Sequence, residues 1–335
     1  MVFRRVLAVA VALAVSGSFV LAQTAKPDTK KRSRQEQQEI QQVVKLVDGV
    51  MAGETAPADV QMSIQPFFLK SQEARTFVPF VLDIKNGPAA DAAMYIRVVN
   101  PAATPDPKAK KVEYPWDDIH FVSAAQMDKG TVKLHRVFMA SPGTYDVYVA
   151  IKERLPERPA KGQVAKVGVH KQSVTVPDFQ NGELSTSSVL VTDKVNMLTS
   201  ALSADESRER PFVFGAQELV PAADMVFAKN EELSIFFQVY NSGLDQAGKP
   251  SIVMEYEFHR KEGGEEKFFN RTNPQTISAA ELPPQFDPSK FPVPGGITVP
   301  LTSFAEGDYR LAIKINDKVA GKTLTRDVNF TVKAS

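Results

Sequence analysis

The stretch YPWDDIHF (114–121) gathers the residue types that could do chemistry. Asp117 and Asp118 bring carboxylates, His120 an imidazole that titrates near neutral pH, and Trp116 a broad indole face. A carboxylate beside an imidazole is the pairing used in general acid–base catalysis. The same residues also fit a turn entering a strand, with Trp116 capping a core. No nucleophile or oxyanion hole can be named beside them, so the structural reading is preferred and no catalytic residue is assigned. The other histidines are His135, His170 and His259. None of the four has a second histidine or a cysteine at metal-ligand spacing, so neither a metal ligand nor a cofactor-binding residue is assigned.

The glycine-rich and nucleophile-elbow motifs G-x-S-x-G, G-x-x-x-x-G-K-[ST] and G-x-G-x-x-G are absent. Carboxylates in DESRER (205–210) and KEGGEEK (261–267) are interleaved with bases, as on solvated surfaces. Aromatic residues carry the one binding argument. Phe67, Phe68, Trp116, Tyr148, Tyr240, Phe268 and Phe269 have no core face assigned by pattern. Tyr148 lies on the opposite strand face from Tyr145. Exposed rings stack on sugars or anchor protein contacts, and burial under a neighbouring element is the alternative. Trp116 and Tyr148 are the candidate contact residues.

Composition bounds the rest. Net charge is +1 across 335 residues, too little to draw nucleic acid through overall charge, so no nucleic-acid partner is expected. The small basic runs TKKRSR (29–34) and DPKAKK (106–111) read as tail and loop. Arg4 and Arg5, the apolar VLAVAVALAV and small Ala22 read as a signal peptide over 1–22, with an uncleaved anchor as the alternative. No later segment is apolar enough to span a membrane once the signal is removed. The expected location is therefore periplasmic or extracellular. Without a cysteine, neither a disulfide nor a lipid-bearing cysteine is available, so folding must rest on core burial.

These residues need elements to position them. Residues 23–58 begin as a polar tail. Ile40, Val43, Val44 and Val47 then recur at helical spacing, predicting a short amphipathic helix near 34–48; docking on the first domain is favoured over a partner-binding or oligomerising role because the stripe is barely two heptads long. Beyond it, period 2 dominates. FVPFVLDIK alternates as a strand, with Pro79 pointing to an edge or a strand start. MYIRVVN, DDIHFVSA and TVKLHRVFMA supply further strands, and SIVMEYEFHR with KFFNRT a hairpin. The five prolines of 283–296 predict a rigid loop or extended rim rather than a strand.

Three phrases occur twice in the same order: FVLDIKN (80–86) and IFFQVYN (235–241), GTYDVYVAI (143–151) and GDYRLAIKI (307–315), HKQSVTV (170–176) and RDVNFTV (326–332). Two domains of one fold would produce this. The G-x-Y phrase fits a tyrosine corner, in which the ring enters the core and its hydroxyl bonds nearby backbone. Ser141 and Ala305 stand where antibody domains carry an acidic residue, and the cysteine pair is missing, so the wider immunoglobulin-like and fibronectin-type sandwiches are the better match.

ELVPAADMVFAKNEELSIFFQVYN (218–241) and VPLTSFAEGDYRLAIKINDKVAGKTLTRDVNFTV (299–332) together resemble the C-terminal β-sandwich region of uncharacterised exported acidobacterial proteins. The resemblance covers the last 150 or so residues best. It implies a sandwich, export and no known catalytic residues. The D-x-S-x-S and GWxTD phrases carried elsewhere by some of those proteins are absent here, so their functions are not transferred.

The expectation is an all-β chain: two tandem immunoglobulin-like β-sandwich domains, over 59–180 and 188–335, preceded by a short amphipathic helix. The function read from it is a non-catalytic, exported interaction or scaffold protein with an envelope protein or polysaccharide as partner. A carbohydrate-binding protein using exposed aromatics and an enzyme with a loop-borne site are the alternatives.

Overall fold

The structure is a computed structural model that describes residues 32–71, 73–103, 112–127, 131–156, 158–283, 286–288 and 290–334. The expected signal peptide, most of the tail that follows it and the basic loop at 104–111 lie outside the described residues. Strands hold 51% of the chain and helices 11%, which makes it mostly β. It divides into two compact units. Among the described residues, one comprises those of 32–178 with 202–211; the other comprises those of 179–201 and 212–334. The sequence reading gave 202–211 to the second domain, whereas the structure packs it with the first unit.

The first unit begins with α1 (Arg34–Met51). Ser33 and Glu36 form a capping box at its start. The helix runs past Gly49, one turn beyond the predicted end. It stops where Gly53 takes a left-handed φ of 100°, and there Glu54 N–H bonds Gly49 C=O while Gly53 N–H bonds Val50 C=O. That double closure is a Schellman motif, which ends a helix at a residue tolerant of positive φ.

Seven longer strands follow: β1 (Gln61–Pro66), β2 (Thr76–Lys85), β3 (Ala92–Val99), β4 (Trp116–Val122), β5 (Thr131–Ala140), β6 (Gly143–Glu153) and β7 (Val167–Val176). One antiparallel sheet runs β1-β2-β5, with the short strand Leu69–Lys70 also on β2. The other runs β4-β3-β6-β7. Phe80, Leu82, Leu134 and Phe138 from the first sheet share one core with Ile96, Val98, Val147 and Val149 from the second. Pro79 therefore lies in a central strand, not at an edge or a start. It is tolerated because β1 ends opposite Phe80 and the next pairing resumes opposite Phe77, so the missing N–H falls at a gap.

The second unit is built on β8 (Leu190–Met197), β9 (Gln217–Pro221), β10 (Glu232–Tyr240), β11 (Ile252–Glu262), β12 (Glu265–Arg271), β13 (Val293–Pro300), β14 (Gly307–Asp317) and β15 (Lys322–Lys333). One sheet runs β9-β8-β10-β13. The other runs β12-β11-β14-β15, with Val226–Ala228 added parallel to β15. Gly263 and Gly264, at φ 61° and 87°, close the β11–β12 hairpin as the two residues of its turn. The strand order β1-β2-β5 recurs as β8-β10-β13, and β4-β3-β6-β7 as β12-β11-β14-β15. The repeated phrases fall on corresponding strands. Asn86 and Asn241, which end the first phrase in each copy, take φ values of 55° and 57°. They are the two non-glycine residues with positive φ among those described.

Part of the proline-rich segment is a strand after all, since Val293–Gly296 pairs with β10. β13 pairs on one side only, which leaves the side without a partner free for a proline. A Cβ on Gly295 would run into the Phe237 ring and the Met254 sulfur. Gly295→Ala is therefore expected to destabilise the second unit by about 1–3 kcal/mol through overpacking, read from a urea midpoint. An unchanged midpoint would show that the ring has room to move.

Candidate functional site

The YPWDDIHF stretch forms β4, and strand alternation separates its acids. Asp117 points to the face covered by α1, where it accepts a hydrogen bond from the Tyr95 hydroxyl at 3.3 Å. The Arg97 Nε in turn donates to the Tyr95 oxygen at 2.9 Å. Trp116, Asp118, His120 and Val122 share the other face. Val122 is in the first unit's core and Trp116 packs against it.

Asp118 is the hub of that second face. It pairs with Arg208 of α2 (Ala204–Glu209), and its Oδ2 lies 3.1 Å from the His120 Nε2. The His120 contact has ion-pair distance without hydrogen-bond alignment. Arg136 of β5 completes the group. It is 1% exposed, its Nη1 donates to the His135 carbonyl at 2.7 Å, and its Nη2 lies 3.8 Å from the Glu209 carboxylate. Burial pushes the Asp118 carboxyl up, but His120 and Arg208 outweigh it and hold the group below the ordinary carboxylate value. Burial drives the His120 imidazole down, and the Arg136 and Arg208 charges add to that against the pull of Asp118. His120 thus sits among two guanidiniums and a carboxylate in a setting that disfavours its charged form.

What this group can do follows from its burial. His120 and Arg136 are enclosed, and the charges face one another across protein elements. The arrangement holds α2 against β4 and β5. Among the described residues no three His, Cys, Asp or Glu side chains converge to hold a metal ion. The other histidines are scattered: His170 is 3.3 Å from Gln172 on its own strand, and His259 is 3.7 Å from Glu257 on its own.

Three of the five residues in the group escaped the sequence reading. DESRER was taken as a solvated run, yet Arg208 is 8% exposed. Two signals were present. Ser203 and Glu206 have capping-box spacing and do form the box, marking a helix start. In TVKLHRVFMA, Arg136 stands at an inward position between Leu134 and Phe138, both core residues.

The aromatic candidates are placed differently from an exposed stacking surface. Tyr148 is 5% exposed, enclosed with Val43, Val47 and Tyr95 beneath α1. Its ring is not offered to a ligand. Among the described residues the second unit has no helix corresponding to α1, and its equivalent residue, Ala312, is half-buried. Trp116 is half-buried against the first core, with its Nε1 enclosed. The one exposed aromatic ring among the described residues is Phe268, 60% exposed on β12. Among the described residues β12 pairs with β11 alone and ends its sheet. No helix among the described residues is long and apolar enough to cross a membrane. No family model matches the chain, and no curated protein matches it.

Proposed function

We propose that this chain is a non-catalytic interaction or scaffold protein, exported by its N-terminal signal to the periplasm or the outside of the cell. Its two units are read as tandem immunoglobulin-like sandwiches of the fibronectin type, related to the sandwich region of the exported acidobacterial proteins. The recurrence of one strand order in both units supports that reading. The observation that carries the function is Phe268 on terminal strand β12. It is a large apolar ring turned to solvent on a strand with one side free of a strand partner among the described residues. An edge of that kind takes up an extended segment of another protein, with backbone hydrogen bonds giving affinity and the ring giving a side-chain contact. Glu265, Glu266 and Lys267 beside it keep the edge from pairing indiscriminately. A polysaccharide partner would need a row of exposed rings, and among the described residues Phe268 stands alone in that class.

The test is capture of envelope proteins and polysaccharides, run separately, on the chain from residue 23 and on its Phe268→Asp form. A discrete protein held by the first and lost by the second, with unchanged circular dichroism, is the expected result. Equal retention by both forms would remove β12 from the reading. Retention of polysaccharide alone would put the sugar-binding alternative first.

A further inference from the structure

Residues 202–211 belong to the first unit, although the chain on both sides of them builds the second. Their helix, α2, has six residues, too few to stand as an isolated helix in water. Its capping box secures the N-terminal turn. Within the helix apolar burial does little: Ala204, Asp205, Glu206 and Glu209 are exposed, Arg208 is its one buried residue, and the apolar anchoring is confined to half-buried Leu202 and buried Pro211 at the segment's ends. Charge does the holding. The helix offers a cation and an anion, Arg208 and Glu209, to an anion and a cation on the strands beneath, Asp118 and Arg136. The pairs are crossed, so the segment fits in one orientation. Segments with few buried apolar contacts lie at the low end of local stability.

We propose that residues 202–211 form a detachable strap, clamped onto β4 and β5 by the crossed pairs Arg208–Asp118 and Arg136–Glu209 and released by acid.

His120 makes acid the trigger. It is faced by Asp118 on its own strand, by Arg136 on β5 and by Arg208 on α2, and Glu209 sits on the far side of Arg136. A protonated imidazole here would be a third cation among two guanidiniums. Its proton affinity is held below the ordinary value of 6.5 while the strap is docked and recovers when water reaches it. Undocking therefore takes up a proton, and the docked state loses stability as pH falls below about 6.5. Asp118 works in the same direction at lower pH. Its carboxyl is held below the ordinary 3.8 when docked, so its contribution is present above that value and lost as pH falls through the docked one.

The chain has no cysteine, so Ala204→Cys provides a single thiol on the exposed side of the strap for a nitroxide label. Electron paramagnetic resonance at about pH 7.5 is expected to show an immobilised label, and at about pH 5 a mobile one, with the far-UV β signal intact. Arg208→Gln, which alters the strap and leaves the strands alone, is expected to give the mobile spectrum already at the higher pH. His120→Gln is expected to keep the label immobilised at the lower pH. Equal mobility at both pH values, mobility gained only together with loss of the β signal, or an immobilised label in Arg208→Gln would each overturn the proposal.

Discussion

Tyr309→Ala is expected to lower the stability of the second unit by about 3–5 kcal/mol, the range for removing a fully buried aromatic ring. For a domain of this size the melting temperature should fall on the order of 10 °C. The ring is inaccessible to solvent. It stacks on Phe330 at 5.4 Å between centroids and meets Phe304 at 5.2 Å and Phe269 at 5.3 Å. Its hydroxyl donates to the Ala305 carbonyl at 2.8 Å, four residues back, across the turn made by Gly307 at φ 139°. This is the bond from ring hydroxyl to nearby backbone that the G-x-Y phrase led us to expect, formed without an acidic residue at position 305. Tyr309→Phe keeps the ring and loses the bond, so it should cost about 0.5–1.5 kcal/mol. If alanine and phenylalanine shift the melt equally, the ring packing is not what anchors β14. Tyr145 repeats the buried ring in the first unit at Gly143, φ 148°, but no bond from its hydroxyl is among those described.

The second large effect belongs to α1. Val47→Asp should release the helix from the sheet. Val47 is inaccessible and shares a cluster with Val43, Tyr95, Tyr148 and Ala150. Burying an unpaired carboxylate among them costs several kcal/mol, more than a single helix can hold against, so α1 leaves instead. The expected loss is about 3–4 kcal/mol from the first unit, within the range that named core disruptions reach. Hydrogen exchange over 34–51 should rise to the rate of an unprotected chain, and Tyr148 should become open to nitration. The ion pairs Arg154–Glu39 and Arg97–Asp48 flank the helix and would remain chemically possible. Retained protection over 34–51 would mean that those charges, rather than the valine stripe, fasten α1.

Where sequence reasoning succeeded, the information was local. The valine spacing of α1 defines its buried face within a single helix. Asn86, Asn241, Gly143 and Gly307 mark backbone conformations that their own side chains permit, so the repeated phrases could be found by eye and fell on matching strands. Failure came where meaning depends on a distant neighbour. Alternation shows which face Tyr148 occupies, but not that α1 lies over it. Pro79 and Pro294 read as interruptions because the gap in β1 and the free side of β13 belong to pairing, not to the proline. The Arg208–Asp118 pair joins residues 90 positions apart, and a charged hexapeptide gives no sign of which carboxylate it will meet.

The interleaving of the two units also sets an order of events. Synthesis delivers residues 22–178 first, yet the segment that completes them comes only after β8 of the next unit has been made. Until then Asp118 lacks the Arg208 guanidinium, and Arg136 lacks the Glu209 carboxylate. The nascent first unit therefore waits, incompletely neutralised, for a piece carried by its successor, and a fragment ending at Asp178 would remain in that unfinished state permanently. Maturation here runs backward along the chain: the later half supplies the keystone of the earlier one.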